Sequence, residues 1–314
     1  MLHRFPKGCM SQRTRPFALF ALLAGVLLAA AGPVFAAPPA PPLEHVFVVM
    51  LENHSYEQVI GNPAMPYLNG LAKRYGLATN FYANTHPSIG NYFMATAGQI
   101  VTNDDQWEGV FDGDNIVRAL TKAGKSWRVY AQSLPAAGYV GGSRYPYSKH
   151  HIPFAYFKDV RDDPALAANI VKYGQLRKDL EASALPNYAF LVPDKMNDAH
   201  DCPAAKRPCS EDDQLAAADR WLEQNIGPLL NDADFMKNGL LIIDWDEAEE
   251  HDHEHGGGHV AVVVAGGRVP PGLRSDRFYQ QESVLATSLA GLGVSARPGA
   301  SAGALVMSEF YAGR

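Results

Sequence analysis

Leu240-Leu241-Ile242-Ile243-Asp244-Trp245-Asp246-Glu247 decides how this chain is read: an unbroken apolar run stops at a cluster of acids. Val46-Phe47-Val48-Val49-Met50-Leu51 does the same, running into Glu52-Asn53. A strand in a sheet covered by helices needs apolar side chains on both faces, so both runs read as central parallel strands. Ligands in such sheets bind beyond the carboxyl ends of the strands, so acids far apart in sequence can converge on one crevice. One polar strand end is ordinary turn chemistry. Two, with three acids clustered at the second, point to a site.

Outward from these runs, strand-like and helix-like segments alternate, which predicts a three-layer α/β/α fold with a mostly parallel central sheet. Helices are expected at 66–75, 88–97, 115–123, 175–184 and 211–225, the last with Leu215, Ala218, Trp221 and Leu222 on one face. Further strands are expected at 76–83, 127–131, 188–192 and 260–264. Residues 136–163, rich in Gly, Tyr and Pro, read as a long loop over the site. Its Tyr139, Tyr145, Tyr147, Tyr156 and Phe157 suit either a lipid or aromatic leaving group or plain packing.

The first forty residues read as separate from the fold. Arg4, Lys7, Arg13 and Arg15 precede an apolar stretch from Phe17 to Ala31, and Val34-Phe35-Ala36 has the small residues a signal peptidase reads. Residues 1–36 are therefore expected to be a cleaved signal peptide, 37–42 a Pro/Ala linker and 43–314 one domain, periplasmic or secreted. The stretch is short for a membrane span, so no stable span is expected. Cleavage takes four basic residues and no acid from a chain with 27 Lys+Arg and 33 Asp+Glu, moving the net charge from −6 to about −10. Such a chain is a poor electrostatic partner for nucleic acid. Of its cysteines Cys202 and Cys209 survive processing; in an oxidising compartment they are expected to pair, a zinc site being the competing reading.

Between the acidic strand ends lies Asn84-Thr85-His86-Pro87-Ser88-Ile89-Gly90-Asn91-Tyr92. A helix starting near Ser88 would hold its hydroxyl where free backbone amides and the helix dipole stabilise negative charge. An ordinary N-cap serine is the other reading. A nucleophilic serine needs an activator, and metal coordination is one.

Glu-Asn-His-Ser-Tyr at 52–56, His-Pro-Ser-x-x-Asn-Tyr at 86–92, Asn-Asp-x-His-Asp at 197–201 and Trp-Asp-Glu at 245–247 resemble the ordered motifs of the bacterial phosphoesterase family of acid phosphatases and phospholipases C, which is similar in fold to alkaline phosphatase. The resemblance implies that Glu52, Asn53, Asp246 and Glu247 hold a metal ion, with Ser88 as ligand and nucleophile. An oxygen shell of three carboxylates and an amide suits Mn²⁺, Mg²⁺ or Ca²⁺, with Zn²⁺ also open. Asp246 and Glu247 can both reach one ion only if the strand ends before them. His200 and His259 are the expected phosphate-binding or acid–base residues, with His86 a third candidate and Asp194 or Asp198 available for a second metal. The run 249–258 reads as a flexible polar loop, and Asp244 as a solvated strand position. The chain departs from the family pattern in that run and at Gly90, where proline is expected.

These residues imply an exported metal-dependent phosphoesterase acting on a small phosphoester, a phosphomonoesterase in preference to a phospholipase C-like diesterase. A serine carboxylesterase lacks its Gly-x-Ser-x-Gly elbow here, since His86 stands at the first glycine. A non-catalytic metal- or phosphate-binding protein would use the same cluster.

Overall fold

The computed structural model describes residues 41–312. The expected signal peptide and residues 37–40 lie outside them. Among the described residues, eight strands form one sheet: β1 (His45–Leu51), β2 (Gly76–Ala78), β3 (Trp127–Ala131), β4 (Ile170–Lys172), β5 (Tyr188–Val192), β6 (Gly239–Trp245), β7 (Val262–Ala265) and β8 (Leu273–Ser275). Their order is β4-β3-β5-β1-β6-β7-β2-β8. All pairings are parallel except those of β7, which runs antiparallel to β6 and β2.

Every residue from Val46 to Leu51 and from Gly239 to Trp245 is buried, so both faces of the central strands are covered. The helices Ile89–Ala97 and Gln281–Gly291 pack together, as do Pro66–Arg74 and Glu211–Asn231. The architecture is α/β with a mostly parallel sheet, as the alternation predicts. Among the described residues no helix is long and apolar enough to cross a membrane.

Several elements differ from expectation. β2 stops at Ala78, and Phe81 and Tyr82 make only isolated bridges to Tyr279 and His259. The helix from Glu211 continues past Asn225 to Asn231, with Pro228 inside it. Asp244 is fully buried between β1 and β7 in the sheet, with Gln281 Nε2 at 3.5 Å, so it is not a solvated position. Cys202 and Cys209 form a disulfide.

Two backbone hydrogen bonds carry the sheet into the loops above it. Asp246 N donates to Leu51 O at 2.9 Å, and Glu52 N to Asp198 O at 2.9 Å. The chain leaving β1 is thus held on one side by the chain leaving β6 and on the other by the chain leaving β5.

Candidate active site

Four segments meet at this edge. Glu52 follows β1 with no exposed surface, and Asn53 then turns the chain with φ 51°, a left-handed conformation that Asn tolerates better than most residues. The turn directs Asn53 N onto Asp246 Oδ1 at 3.1 Å and Asn53 Nδ2 onto Glu247 Oε1 at 2.6 Å. β6 ends at Trp245, so the alternation of a strand no longer separates Asp246 from Glu247.

Ser88 closes the cluster. Its Oγ lies 3.2 Å from Glu52 Oε2 and 3.2 Å from Glu247 Oε1, and it makes no capping bond to the helix Ile89–Ala97. Asp105 takes that role, its Oδ1 accepting from Ile89 N at 3.1 Å. The capping task is therefore filled by another residue, and the Ser88 hydroxyl faces the acids.

The segment carrying Ser88 is braced on two sides. Asn91 Oδ1 accepts from Asn84 N (2.8 Å) and Thr85 N (3.2 Å), and its Nδ2 donates to Thr85 O (2.7 Å). Opposite, Gly257 N donates to Ala83 O (3.1 Å) and Ala83 N to Gly258 O (3.0 Å). At Gly256, φ is +111° and a Cβ would lie 2.1 Å from Asn84 O. The Gly-rich end of the run 249–258 is thus a backbone splint for the Ser88 segment, not a free loop; only glycine allows two backbones so close.

The histidines divide. His86 Nδ1 lies 3.0 Å from Glu247 Oε2 and its Nε2 faces Asp252 O at 2.8 Å. The hydrogen bond to Glu247 holds its imidazole above the ordinary value, against the opposing pull of burial. His200 lies at the mouth, with Nδ1 2.6 Å from Asp201 Oδ1. A cavity of about 390 Å³ is lined by Asn53, His86, Pro87, Ser88, Asp105, His200, Glu247 and Glu250. His259 is not brought to this cluster. Its ring stacks on Tyr56 (4.4 Å) and Tyr82 (4.9 Å), and its Nε2 faces Thr79 O at 3.2 Å, on the segment after β2 to which Tyr82 bridges it. Asp194 serves the β3–β5 connection, accepting from Ser133 Oγ at 2.6 Å and Asn197 Nδ2 at 2.7 Å.

Two histidines absent from the sequence reading belong here. His151, 1 % exposed, places Nε2 3.2 Å from Glu52 Oε1 and Nδ1 3.4 Å from Asp198 Oδ2. His150 is buried beside it; burial, then His151, pushes its imidazole down to about 3. Both come from the loop after β3, whose Tyr147, Tyr156 and Phe157 are buried and pack, leaving Tyr145 exposed. No periodicity marks such a pair; only the reading of 136–163 as a loop over the site hinted at it.

Burial and then Asp198 drive the Glu52 carboxyl well above the usual carboxylate range, and burial and then Glu52 do the same to Asp246. Buried acids so close together call for a cation, which would reverse both shifts. Asn53 Oδ1 and Asp246 Oδ2 are buried without hydrogen-bond partners. With Glu52, Glu247 and the Ser88 hydroxyl they make an all-oxygen donor set, and that set fits a hard divalent ion.

The Phosphoesterase family model matches residues 62–288. The chain belongs to the Phosphoesterase family. It is 30% identical over 269 residues to a phosphatidylinositol-3-phosphatase of Mycobacterium tuberculosis, covering 83% of each chain. It is 29% identical over 253 residues to a probable acid phosphatase of Kluyveromyces lactis, covering 77% of this chain and 56% of the relative. A phosphate-repressible acid phosphatase of Penicillium chrysogenum is 29% identical over 257 residues, with coverage of 78% and 58%. The chain thus spans somewhat more than half the length of these fungal relatives. Among solved structures, a protein in the alkaline phosphatase superfamily from Vibrio parahaemolyticus aligns with a TM-score of 0.61 at 14% identity, over 87% of this chain and 73% of that chain. The phosphonate monoester hydrolase of Agrobacterium radiobacter aligns at 0.56 and 13%, over 87% and 78%. At such identities the likeness concerns the fold, which is alkaline-phosphatase-like.

Proposed function

We propose that this chain is an exported, metal-dependent phosphomonoesterase that works through a phosphoseryl intermediate on Ser88. The observation that carries this reading is the Ser88 hydroxyl, relieved of capping by Asp105 and held 3.2 Å from two buried carboxylates. Glu52, Asn53, Asp246, Glu247 and Ser88 would hold the ion. When bound, it supplies positive charge that lowers the hydroxyl pKa and neutralises the phosphoryl oxygens.

The residues divide the remaining work. Ser88 Oγ attacks phosphorus, its proton passing to a neighbouring carboxylate, and the bond from phosphorus to the leaving oxygen breaks. His200, oriented by Asp201, donates a proton to that oxygen. Water then attacks phosphorus with His200 accepting its proton, and the Oγ–phosphorus bond breaks as Ser88 Oγ takes back the proton held by the carboxylate. His86, hydrogen-bonded to Glu247, fixes that carboxylate against Ser88. An imidazole partner for Ser88, which a carboxylesterase needs, is missing from its hydrogen bonds among the described residues.

The phosphatase names of the relatives support a monoester substrate. The Cys202–Cys209 disulfide supports an oxidising compartment. Ser88→Ala is expected to abolish hydrolysis of a chromogenic phosphate monoester while leaving circular dichroism unchanged; retained turnover overturns the mechanism. Turnover that survives exhaustive chelation overturns the metal dependence.

A further inference from the structure

The helix Gln281–Gly291 starts against two of the segments that form the site. Gln280, which precedes it, makes no capping bond. Gln281 N instead donates to Asn84 Oδ1 at 3.1 Å, and Asn84 Nδ2 donates to Glu282 Oε2 at 2.8 Å. Asn84 is one of the residues that Asn91 braces in the Ser88 segment, so the helix start is tied to that segment. It is tied to β6 as well. The Gln281 side chain is fully buried, and its Nε2 donates to Trp245 O at 2.9 Å, with Asp246 O and Asp244 Oδ1 each at 3.5 Å. Three oxygens around one end of an amide identify that end as the nitrogen. Pairing of β6 with β7 stops at Ile243, so at Trp245 the Gln281 amide stands where a strand partner no longer does. Asp246 N meanwhile donates to Leu51 O at 2.9 Å. Trp245 O and Asp246 N belong to one peptide plane, whose carbonyl and N–H are thus both held, from opposite edges. Asp246 leaves from that plane, followed by Glu247, whose Oε1 is 3.2 Å from Ser88 Oγ.

We propose that Gln281 is a positioning residue for hydrolysis: its side chain holds the Trp245–Asp246 peptide, its backbone holds Asn84, and together they set the separation of Glu247 from Ser88. The proposal rests on the reading of Ser88 as the nucleophile. Burying an amide costs free energy unless its polar atoms are paired, and Gln281 Oε1 has no hydrogen-bond partner among the described residues. The amide's contribution therefore lies in the donor it offers to the end of β6. Ser88 and Glu247 stand 159 residues apart in sequence, and the start of this helix touches the segments of both. A shift of the helix start would move one of them against the other.

The test separates placement from folding. Gln281→Met removes the donor at nearly constant volume, and Leu289→Ala, in the core near the other end of the same helix, is the control for lost stability. Both are assayed beside wild type and Ser88→Ala on a chromogenic phosphate monoester, at a temperature where circular dichroism shows them folded. Gln281→Met is expected to lose about 100-fold in kcat with KM within about twofold, because a misplacement of about 1 Å acts on the reacting geometry and not on ground-state binding. Leu289→Ala is expected to keep both constants. Inhibition by orthovanadate, which takes up the five-coordinate geometry of the transition state, should weaken in Gln281→Met in step with kcat/KM. A kcat within about threefold of wild type, or a loss that Leu289→Ala shares, overturns the proposal, while an inactive Ser88→Ala leaves the nucleophile standing. Turnover retained by Ser88→Ala overturns the nucleophile reading and the proposal together. If Gln281→Met does not fold, Asn84→Asp decides. It sets a carboxylate against Glu282 Oε2, and the slowed turnover should recover in Asn84→Asp/Glu282→Gln, which exchanges donor and acceptor. Asn84→Asp as fast as wild type, or a double variant no faster than Asn84→Asp, overturns the proposal.

Discussion

At Gly90 the chain has no room for a side chain: a Cβ there would lie 2.5 Å from both Asn103 Oδ1 and Thr85 Cγ2. That crowding accounts for glycine where the family resemblance leads one to expect proline. Gly90→Ala is expected to cost about 1–3 kcal/mol through overpacking. It should also slow turnover, because Thr85 belongs to the braced segment that carries Ser88. A thermal melt and a monoester assay check both; an unchanged melt means that Asn103 and Thr85 yield freely. The same scale shows what sequence can tell of a site. Glu52, Asn53, Asp246 and Glu247 were legible because each stands where a buried strand stops, and Ser88 because a helix follows it. His151 was not, since a loop residue gains its neighbours from the fold and carries no periodic mark of them. His259 also stands at this edge, because the antiparallel β7 begins there, but β6 separates β7 from β1 and the imidazole is taken up by Tyr56 and Tyr82.

Among elements, the helix Glu211–Asn231 has the best-defined start. Ser210 Oγ and Asp213 form a reciprocal capping box, and Lys206 pairs with Asp213. Ser210→Ala should lower stability by about 1 kcal/mol in urea unfolding. The hydrogen bond from Lys206, followed by those from Ser210, holds the Asp213 carboxyl down at about 2. Its folded value lies below the unfolded value of about 3.9, so its stabilisation is complete above roughly pH 4 and is lost as pH falls through about 2. The melting difference between wild type and Asp213→Asn should therefore shrink over that window; a difference independent of pH counts against the pairing. This helix was legible from its apolar stripe and β3 and β5 from short apolar runs, whereas Gln281–Gly291 was not. Nearly all its residues are buried, so apolar and small side chains occupy every face and no stripe distinguishes one. β4 and β8, three residues each, are too short for alternation to register.

For the molecule as a whole, the alternation of apolar runs and amphipathic stretches was enough to read the three-layer fold, because covered parallel strands leave an unmistakable composition. Strand order was beyond reach, since it is set by long-range packing. The Cys202–Cys209 disulfide closes a short loop next to His200 and Asp201. Cys209→Ser is expected to lose about 2–3 kcal/mol in denaturant unfolding and to lower kcat more than KM by loosening His200; equal stability of the two forms overturns that assignment. β1 lies between β5 and β6, so the first strand of the sheet finds its partners only after some 140 and 190 further residues have been added. Contacts of such span carry a loop-closure cost that must be met before they stabilise anything. Assembly of the cluster therefore waits on synthesis past β6: a nascent polypeptide halted before Glu247 already contains Ser88 and Glu52, yet lacks the carboxylate that meets Ser88 from the other side.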